Sequence, residues 1–341
     1  MEDVPFLLPW EAQTPANTAA KLLRGTLVVQ DIERWCHQKA HEDGVEPAMA
    51  VVFFNTGPDA VDYVEIKAHV AARAGVGYCV YEMSPDASTA EVMAQVQKLN
   101  AHPQVHGILI QRPFPEQIDE PKIMASISHF KHIEEYSKGE VNNVAADAII
   151  RLLSRYGIHR AAHHAKIQVA GCGNIITDGF NAHMKRHFPY VDISTSLPNT
   201  QKPEHEKEDG RAVDDQSAPR QVILISELHR GPGFIKPSMV SQEVRVIVDL
   251  GFYATEKGII GDLSYSVFDK DDLTIAPTPG GVLPILLWVM MERTIKSKQM
   301  LVRGEGGASV RVNDQLVLNH TDGSVIRAIC SAGNSGSTSG G

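Results

Sequence analysis

Asp62-Tyr63-Val64-Glu65-Ile66-Lys67 is the stretch that decides the fold, and it lies within residues 57–77. Apolar residues recur here at steps of three and four positions, which predicts a helix that begins near Pro58. Tyr63 and Lys67 are four positions apart, so they lie one turn apart on the same helical face. In such a pair the aromatic ring can stack on a flat ligand ring, and the ammonium group can transfer a proton to or from it. The alternative is a solvated lysine beside a tyrosine that covers the core.

Predicted strands and helices alternate around this helix. The strands are residues 48–54, 77–81 and 105–110, and the helices are residues 14–42 and 88–100. The first strand is apolar throughout, which is typical of a strand covered on both faces. Helical connections of this length predict right-handed crossovers and a parallel sheet. Because ligands bind beyond the carboxyl ends of such strands, Gln111, which follows the third strand, is a candidate site residue.

The second half of the chain repeats the alternation. A helix at residues 146–156 leads to strands at 166–170, 221–226, 244–250, 259–262 and 273–276. Gly171-Cys172-Gly173-Asn174 follows the first of these strands and precedes a helix that ends near residue 187. This order predicts a dinucleotide-binding unit, in which glycines allow the tight turn and the helix N-terminus faces a phosphate. A plain strand-to-helix turn is the alternative, since no third glycine follows at the usual spacing.

The loop Pro277-Thr278-Pro279-Gly280-Gly281-Val282 precedes an apolar helix at about residues 283–295. Proline restricts the backbone and glycine carries no side chain, so this loop suits a place where a ligand lies against bare backbone. Residues 198–220 are polar, charged and aperiodic, which predicts a surface insertion. Residues 309–330 are consistent with a hairpin, and residues 331–341 with a flexible tail.

Composition limits the classes of function. At 341 residues the chain is long enough for two domains, and 43% hydrophobic with 21% charged residues is typical of a globular protein. The net charge of −9 argues against a nucleic-acid partner. Four scattered cysteines fit a reduced, intracellular protein, and no signal peptide or membrane-length apolar run is visible. His159 and His163 have helical spacing but no accompanying carboxylate or cysteine, so no metal is expected.

Six motifs, in order, resemble the bifunctional methylenetetrahydrofolate dehydrogenase/methenyltetrahydrofolate cyclohydrolase (FolD) family. In this chain they are Y-V-E-I-K at residues 63–67, G-I-L-I-Q-R-P-F-P at 107–115, P-G-F-I at 232–235, V-D-L-G-F-Y at 248–253, G-D at 261–262 and A-P-T-P-G-G-V-L-P at 276–284. The corresponding family motifs are Y-V-x-x-K, G-I-L-V-Q-L-P-L-P, P-G-F-I, I-D-V-G-I-N, G-D and T-P-V-P-G-G-V-G-P. The resemblance covers roughly residues 22–298. Several motifs in the right order are far more specific than any one of them.

The resemblance implies an α/β protein of two domains. Residues 1–148, completed by the helix at 283–298, would form an N-terminal α/β/α catalytic domain with a parallel sheet that binds folate. Residues 149–282 would form a Rossmann-like NAD(P)-binding domain carrying the insertion at 198–220. Residues 299–341 would be a C-terminal extension, partly flexible.

The resemblance also implies roles for the candidate residues. Lys67, with a pKa lowered by burial, would manage the proton or polarise the one-carbon unit, and Gln111 would orient that lysine and the attacking water. Tyr63 would stack on the folate, and Glu134 would hold the ring nitrogens of the pterin. Backbone contacts to the substrate would come from Pro279, Gly280 and Gly281.

The implied cofactor is NADP or NAD, and the implied substrate is a tetrahydrofolate derivative. The candidate cofactor-binding residues are Gly171, Gly173, Asn174, Thr177, Asp178, Asp249 and Gly251. The residue after the family's second glycine is usually arginine, and here it is Asp178, which would repel a phosphate. Such a charge costs on the order of 1–3 kcal/mol, so weak cofactor binding, or NAD in place of NADP, is expected.

Other departures leave a second function open. Glu134 and Glu135 stand where the family has aspartate and glycine, and residues 143–148 replace the family's P-C-T-P-x-G. The chain could therefore be a catalytically impaired relative that acts as a binding or assembly subunit, although such a subunit has no need for Tyr63, Lys67 and Gln111. The expected partners are a folate and a second copy in a homodimer, with no nucleic acid and no membrane. The expected location is the cytoplasm, with mitochondria not excluded.

Overall fold

The computed structural model describes residues 18–55, 58–135, 142–162, 165–171, 175–194, 197, 221–256, 258–304 and 327–328. The predicted insertion at 198–220, the predicted tail, and Gly173 and Asn174 lie outside these ranges. No helix among the described residues is both long enough and apolar enough to cross a membrane.

Helices and strands alternate over residues 48–110, whereas strands and short 3₁₀ turns make up the described elements of residues 191–276. The helices are α1 (Thr26–Lys39), α2 (Pro58–Ala74), α3 (Thr89–Ala101), α4 (Glu120–Ser126), α5 (Val144–Arg155), α6 (Ile158–Ala162), α7 (Asp178–His187) and α8 (Val282–Val302). The strands are β1 (Lys21–Leu22), β2 (Ala48–Phe54), β3 (Gly77–Met83), β4 (Gly107–Ile110), β5 (Lys166–Gly171), β6 (Val191–Ser194), β7 (Val222–Glu227), β8 (Val244–Asp249), β9 (Tyr253–Thr255), β10 (Gly258–Ile260), β11 (Thr274–Ala276) and β12 (Arg327–Ala328). Short 3₁₀ turns lie at Pro237–Met239 and Tyr265–Asp269.

The chain divides into two compact units, which we call the four-stranded unit and the six-stranded unit. The four-stranded unit comprises Ala40–His132 and Thr294–Gly341, and the six-stranded unit comprises Met1–Lys39 and Ile133–Arg293. The predicted domain boundaries, 1–148 with 283–298 and then 149–282, stay predictions.

The four-stranded unit contains a parallel sheet in the order β12-β3-β2-β4. Every residue of β2 is buried, as its uninterrupted apolar sequence predicts. Ser88 and Glu91 form a capping box at the start of α3, which explains why this helix begins at residue 89. At the other end of α3, the Lys131 ammonium donates to the carbonyls of Leu99 (3.1 Å), Asn100 (2.8 Å) and His102 (2.8 Å).

The six-stranded unit contains a second parallel sheet in the order β1-β11-β8-β7-β5-β6. Strands β7 and β8 lie in its middle and are buried almost throughout, whereas β1 and β6 form its edges. Strands β9 and β10 form a separate antiparallel pair. Both sheets are parallel, and helices connect β2 to β3, β3 to β4 and β5 to β6, so the predicted α/β class is confirmed.

The helix predicted at residues 14–42 is wrong over residues 18–25, and residues 14–17 lie outside the described ranges. Residues 21–22 form β1, and the helix begins only at Thr26. Gly25 separates the two elements because its backbone lies against the loop at residues 280–281. Its N–H donates to the carbonyl of Gly280 at 2.9 Å, and a Cβ on Gly25 would lie 2.3 Å from the carbonyl oxygen of Gly281.

Candidate functional site

Lys67, Tyr63 and Gln111 form one cluster in the four-stranded unit. Lys67 lies on α2 and is fully buried, and its Nζ donates to Oε1 of Gln111 at 2.5 Å and to the backbone carbonyl of Tyr63 at 3.2 Å. The same nitrogen lies 3.4 Å from the centre of the half-buried Tyr63 ring, within the range of a cation–π contact. The alternative of a solvated lysine is therefore wrong.

Gln111 is held in place at the carboxyl end of β4. Its backbone N–H donates to the carbonyl of Val52 at 2.8 Å, and its Nε2 donates to the carbonyl of Arg112 at 2.6 Å. The Arg112–Pro113 peptide bond is cis, and the Arg112 guanidinium pairs with Glu120 at 2.7 Å. Because Nε2 is engaged by the backbone, Oε1 of Gln111 is directed at Lys67.

Glu134 belongs to the six-stranded unit, where its backbone is firmly held. Its carbonyl accepts the N–H of Val144 at 2.8 Å and a bond from the Arg293 guanidinium at 3.2 Å. Arg293 is 3% exposed and also donates to the carbonyls of Ile133 (3.0 Å) and Asn142 (2.6 Å). One buried cation therefore holds the chain on both sides of residues 135–141.

The Arg293 charge is balanced by a network that sequence analysis missed. Asp147 lies 3.2 Å from Arg293 and 2.9 Å from Arg151, and Arg151 also pairs with Glu292 at 2.7 Å. Burial raises the pKa of Asp147, but the two arginines outweigh burial and hold this pKa below its usual value. The sequence signal was a charged pair, Glu292-Arg293, inside an otherwise apolar helix.

Pro279, Gly280 and Gly281 form a tightly held loop before α8. The Thr278–Pro279 bond is cis, and Gly280 has a φ of 99°, a conformation that favours glycine. The N–H of Gly281 donates to the carbonyl of Pro277 at 2.7 Å, and a Cβ on Gly281 would lie 2.6 Å from that oxygen. A Cβ on Gly280 would meet no described atom within 4 Å, so this backbone can be approached closely.

Asp249 and Gly251, two candidate cofactor-binding residues, lie in a buried carboxylate cluster. Asp249 is 1% exposed and accepts the N–H groups of Gly251 (3.0 Å), Asp262 (2.9 Å) and Leu263 (3.0 Å). A Cβ on Gly251 would lie 2.5 Å from the backbone N of Asp262, so glycine is required there. These contacts give Asp249 and Gly251 a structural role, and their contact with a cofactor stays a prediction.

Two acids meet in this cluster. Burial, with the nearby negative charge of Asp262, raises the pKa of Asp249 to about 7. Burial also raises the pKa of Asp262, although its carboxylate accepts bonds from the N–H of Leu228 and the hydroxyl of Tyr253, each at 3.0 Å. Burial and the negative charge of Asp262 raise the pKa of Tyr253 to about 12.

The substitution Asp262→Asn is expected to flatten the pH dependence of stability. The folded-state pKa of Asp249 lies above its ordinary value of 3.8, so the stability it contributes is complete below that value and is lost as pH rises through about 7. Removing the charge of residue 262 lowers the pKa of Asp249. It also removes the Asp262 carboxyl group, whose own raised pKa contributes to the pH dependence of the wild type. Urea unfolding between about pH 4.5 and 7.5 should show a decline in unfolding free energy smaller by about 1–2 kcal/mol. The exposed Asp269→Asn is the control, and an equal decline in both variants would contradict the account.

The candidate cofactor loop lies between β5 and α7. Gly171 ends β5 with a φ of 127°, and a Cβ there would lie 2.0 Å from the backbone carbonyl of Glu227. The Thr177 hydroxyl caps α7 by accepting the N–H of Phe180 at 3.2 Å, and Asp178 is exposed at the first helical position. Asn143, the first of the residues that replace the family's P-C-T-P-x-G, caps α5 and also donates to Oγ1 of Thr177 at 3.4 Å. It therefore connects the N-terminus of α5 to that of α7.

A second residue missed from the sequence, Glu227, faces this loop. It ends β7 and is 2% exposed, and its carboxylate accepts the N–H groups of Ile175 (2.9 Å) and Ile176 (2.9 Å). His229 lies 3.3 Å away, and the hydrogen bond to Glu227 raises the pKa of this histidine. An acidic residue at the end of a mostly apolar strand was the available sequence signal.

Among the described residues, no group of three or more histidine, cysteine, aspartate or glutamate side chains could hold a metal ion. The ring of His159 packs against His187 and Phe188, whereas His163 and His164 lie outside the described ranges. The expectation that no metal is required stays a prediction.

Together the two parallel sheets, the buried lysine bonded to a strand-end glutamine and the strand–glycine–helix unit define a two-part α/β protein with a Rossmann-like half. The family model for the tetrahydrofolate dehydrogenase/cyclohydrolase catalytic domain matches residues 23–134, and that for the NAD(P)-binding domain matches residues 143–302. The chain belongs to the tetrahydrofolate dehydrogenase/cyclohydrolase family.

Individual relatives agree with this assignment. The bifunctional protein FolD of Chlamydia abortus is 28% identical over 295 residues, which cover 82% of this chain and 98% of the relative. The fold resembles the bifunctional FolD enzyme of Campylobacter jejuni, with a TM-score of 0.65 at 22% identity over 82% of this chain and 99% of the other. It also resembles the Trypanosoma brucei enzyme, which was solved with NADP and an inhibitor, with a TM-score of 0.67 at 18% identity over 83% and 99% of the two chains.

Proposed function

We propose that this chain hydrolyses 5,10-methenyltetrahydrofolate and, with a nicotinamide nucleotide, oxidises 5,10-methylenetetrahydrofolate. The observation that supports this most strongly is the fully buried Lys67, hydrogen-bonded to Gln111 and lying over the ring of Tyr63. Complete burial of a lysine amine is costly, and a buried ionisable group held in a defined position is a candidate for chemical use.

The cyclohydrolase step needs water to attack the one-carbon bridge and needs proton transfers as a C–N bond of the bridge breaks. Lys67 is the group in this cluster that can carry a proton, and Gln111 fixes its position through the 2.5 Å bond. Tyr63 offers a ring face for stacking on a flat substrate. Glu134 would accept hydrogen bonds from the pterin, and the backbone of residues 279–281 would contact the substrate.

The dehydrogenase step requires NAD or NADP, which would accept a hydride. The backbone fits such a cofactor, because β5, Gly171 and α7 form the expected strand, tight turn and helix. The charge of the loop fits a cofactor phosphate less well, because the Glu227 carboxylate already accepts the backbone N–H groups of two loop residues, Ile175 and Ile176. We therefore expect the hydrolytic activity to be the stronger of the two.

The test is an assay of the purified wild-type chain for both activities. Loss of methenyltetrahydrofolate absorbance should report hydrolysis without any nucleotide, and its formation from the methylene compound should require NAD or NADP. A chain that binds folate but performs neither reaction would instead be the binding or assembly subunit.

We further propose a homodimer in the cytoplasm. The family resemblance supports the dimer, and Cys36 and Cys79, which are buried and not joined in a disulfide, agree with a reducing compartment. Light scattering of the purified chain tests the dimer.

A further inference from the structure

The carboxylate of Glu227 lies where a dinucleotide-binding loop normally offers its amides to a phosphate. Oε1 is 2.9 Å and Oε2 3.2 Å from the backbone N of Ile175, and Oε2 is 2.9 Å from that of Ile176. Both amides precede the Thr177 cap of α7 directly. Loop amides next to a helix N-terminus are the donors that bind phosphate in this class of fold.

The position of Glu227 is fixed by the sheet. It is paired with Gly171 in the β5–β7 register, and the missing Cβ of Gly171 lets the two backbones approach closely. The side chain is 2% exposed, so it cannot swing into solvent without rearranging the end of β7. His229, whose side chain is 46% exposed, is the basic side chain nearest to this carboxylate among the described contacts.

We propose that Glu227 acts as an internal anion that competes with the cofactor's phosphates for the amides of Ile175 and Ile176, and so sets the affinity for nucleotide. This inference rests on the proposed function, because it assumes that the loop is the nucleotide site. It makes Glu227 the determinant of weak nucleotide binding, in place of Asp178.

The difference in burial between Asp178 and Glu227 decides which acid has the larger effect on phosphate binding. Asp178 is exposed at the start of α7, where water and salt screen its charge from a ligand. Glu227 is buried and in direct contact with the two amides, where screening is weak and where it also blocks the donors themselves. The larger effect on phosphate binding is therefore assigned to Glu227.

The test measures nucleotide affinity in the full-length chain without folate. Isothermal titration with NADP, NAD and inorganic pyrophosphate should show binding about ten- to a hundredfold tighter in Glu227→Gln than in the wild type. Glutamine keeps the size and one acceptor oxygen but removes the charge. The matched control, Asp178→Asn, should change the affinity less than about threefold.

Two results would overturn the proposal. One is a Glu227→Gln chain, folded by circular dichroism, that binds all three ligands no tighter than the wild type. The other is a gain in Asp178→Asn that equals or exceeds the gain in Glu227→Gln.

Amide hydrogen exchange of the wild type gives a test that does not depend on any variant folding. The amides of Ile175 and Ile176 should be protected without nucleotide, and rapid exchange would contradict the proposal. Because folate is absent from all these measurements, a failed folate assay and a failed nucleotide titration are separate results, so failure of the proposed function can be told apart from failure of this inference.

Discussion

Replacing Lys67 by methionine is expected to lower the rate of methenyltetrahydrofolate hydrolysis by about 10²- to 10⁴-fold, the usual contribution of a positioned proton-transfer group. Methionine preserves most of the volume of the side chain, so the buried space on α2 stays filled. It removes the nitrogen that lies 2.5 Å from Gln111 and 3.4 Å from the Tyr63 ring. If substrate stacking on Tyr63 survives, kcat should fall much more than KM rises.

The control for this prediction is Lys98→Met, which makes the same change at an exposed lysine on α3. It should retain wild-type activity. Thermal unfolding of both variants tests whether the fold is kept. This check is needed because the Lys67 variant leaves Oε1 of Gln111 without its lysine donor, at a cost of about 1–3 kcal/mol. Hydrolysis at the wild-type rate in a folded Lys67→Met chain would remove Lys67 from the mechanism.

Local patterns identified the three residues of the Lys67 cluster as candidates, and the family resemblance supplied the pairing of Lys67 with Gln111. The four-residue spacing fixed Tyr63 and Lys67 on one helical face, and the all-apolar β2 and β4 identified a buried parallel sheet. Gln111 followed from the rule that ligand-binding residues lie just beyond the carboxyl ends of parallel strands. Each of these inferences uses neighbours in sequence or a general property of the sheet, so no tertiary contact had to be known.

The remaining features depend on long-range contacts that no local pattern encodes. Glu227 accepts hydrogen bonds from residues 51 and 52 positions away in sequence, and Arg293 donates hydrogen bonds to residues 146 to 160 positions away. The helix predicted at residues 14–42 failed for a similar reason. Only the packing of Gly25 against Gly281 shows that the chain must leave the sheet there before a helix can begin.

Replacing Arg293 by methionine is expected to lower the free energy of unfolding by about 3–5 kcal/mol, the cost of breaking a buried ion pair from one side. The variant leaves the Asp147 carboxylate with one arginine, Arg151, in place of two. It also leaves the carbonyls of Ile133 and Asn142 without their buried donor. Each effect is large because Arg293 is 3% exposed and water cannot readily replace its contacts.

Urea unfolding measures this prediction, with Arg155→Met as the control. Arg155 lies on α5 with its side chain 45% exposed and forms only a 3.9 Å contact with Asp31, so its loss should cost less than about 1 kcal/mol. The double variant Arg293→Met/Asp147→Asn should recover part of the loss, because the unbalanced carboxylate is then removed. A cost for Arg293→Met as small as that of the control would show that the network contributes little to stability. If Glu134 holds the pterin, a folded Arg293 variant should also show a raised KM for folate, since Arg293 bonds to the backbone of Glu134 at 3.2 Å.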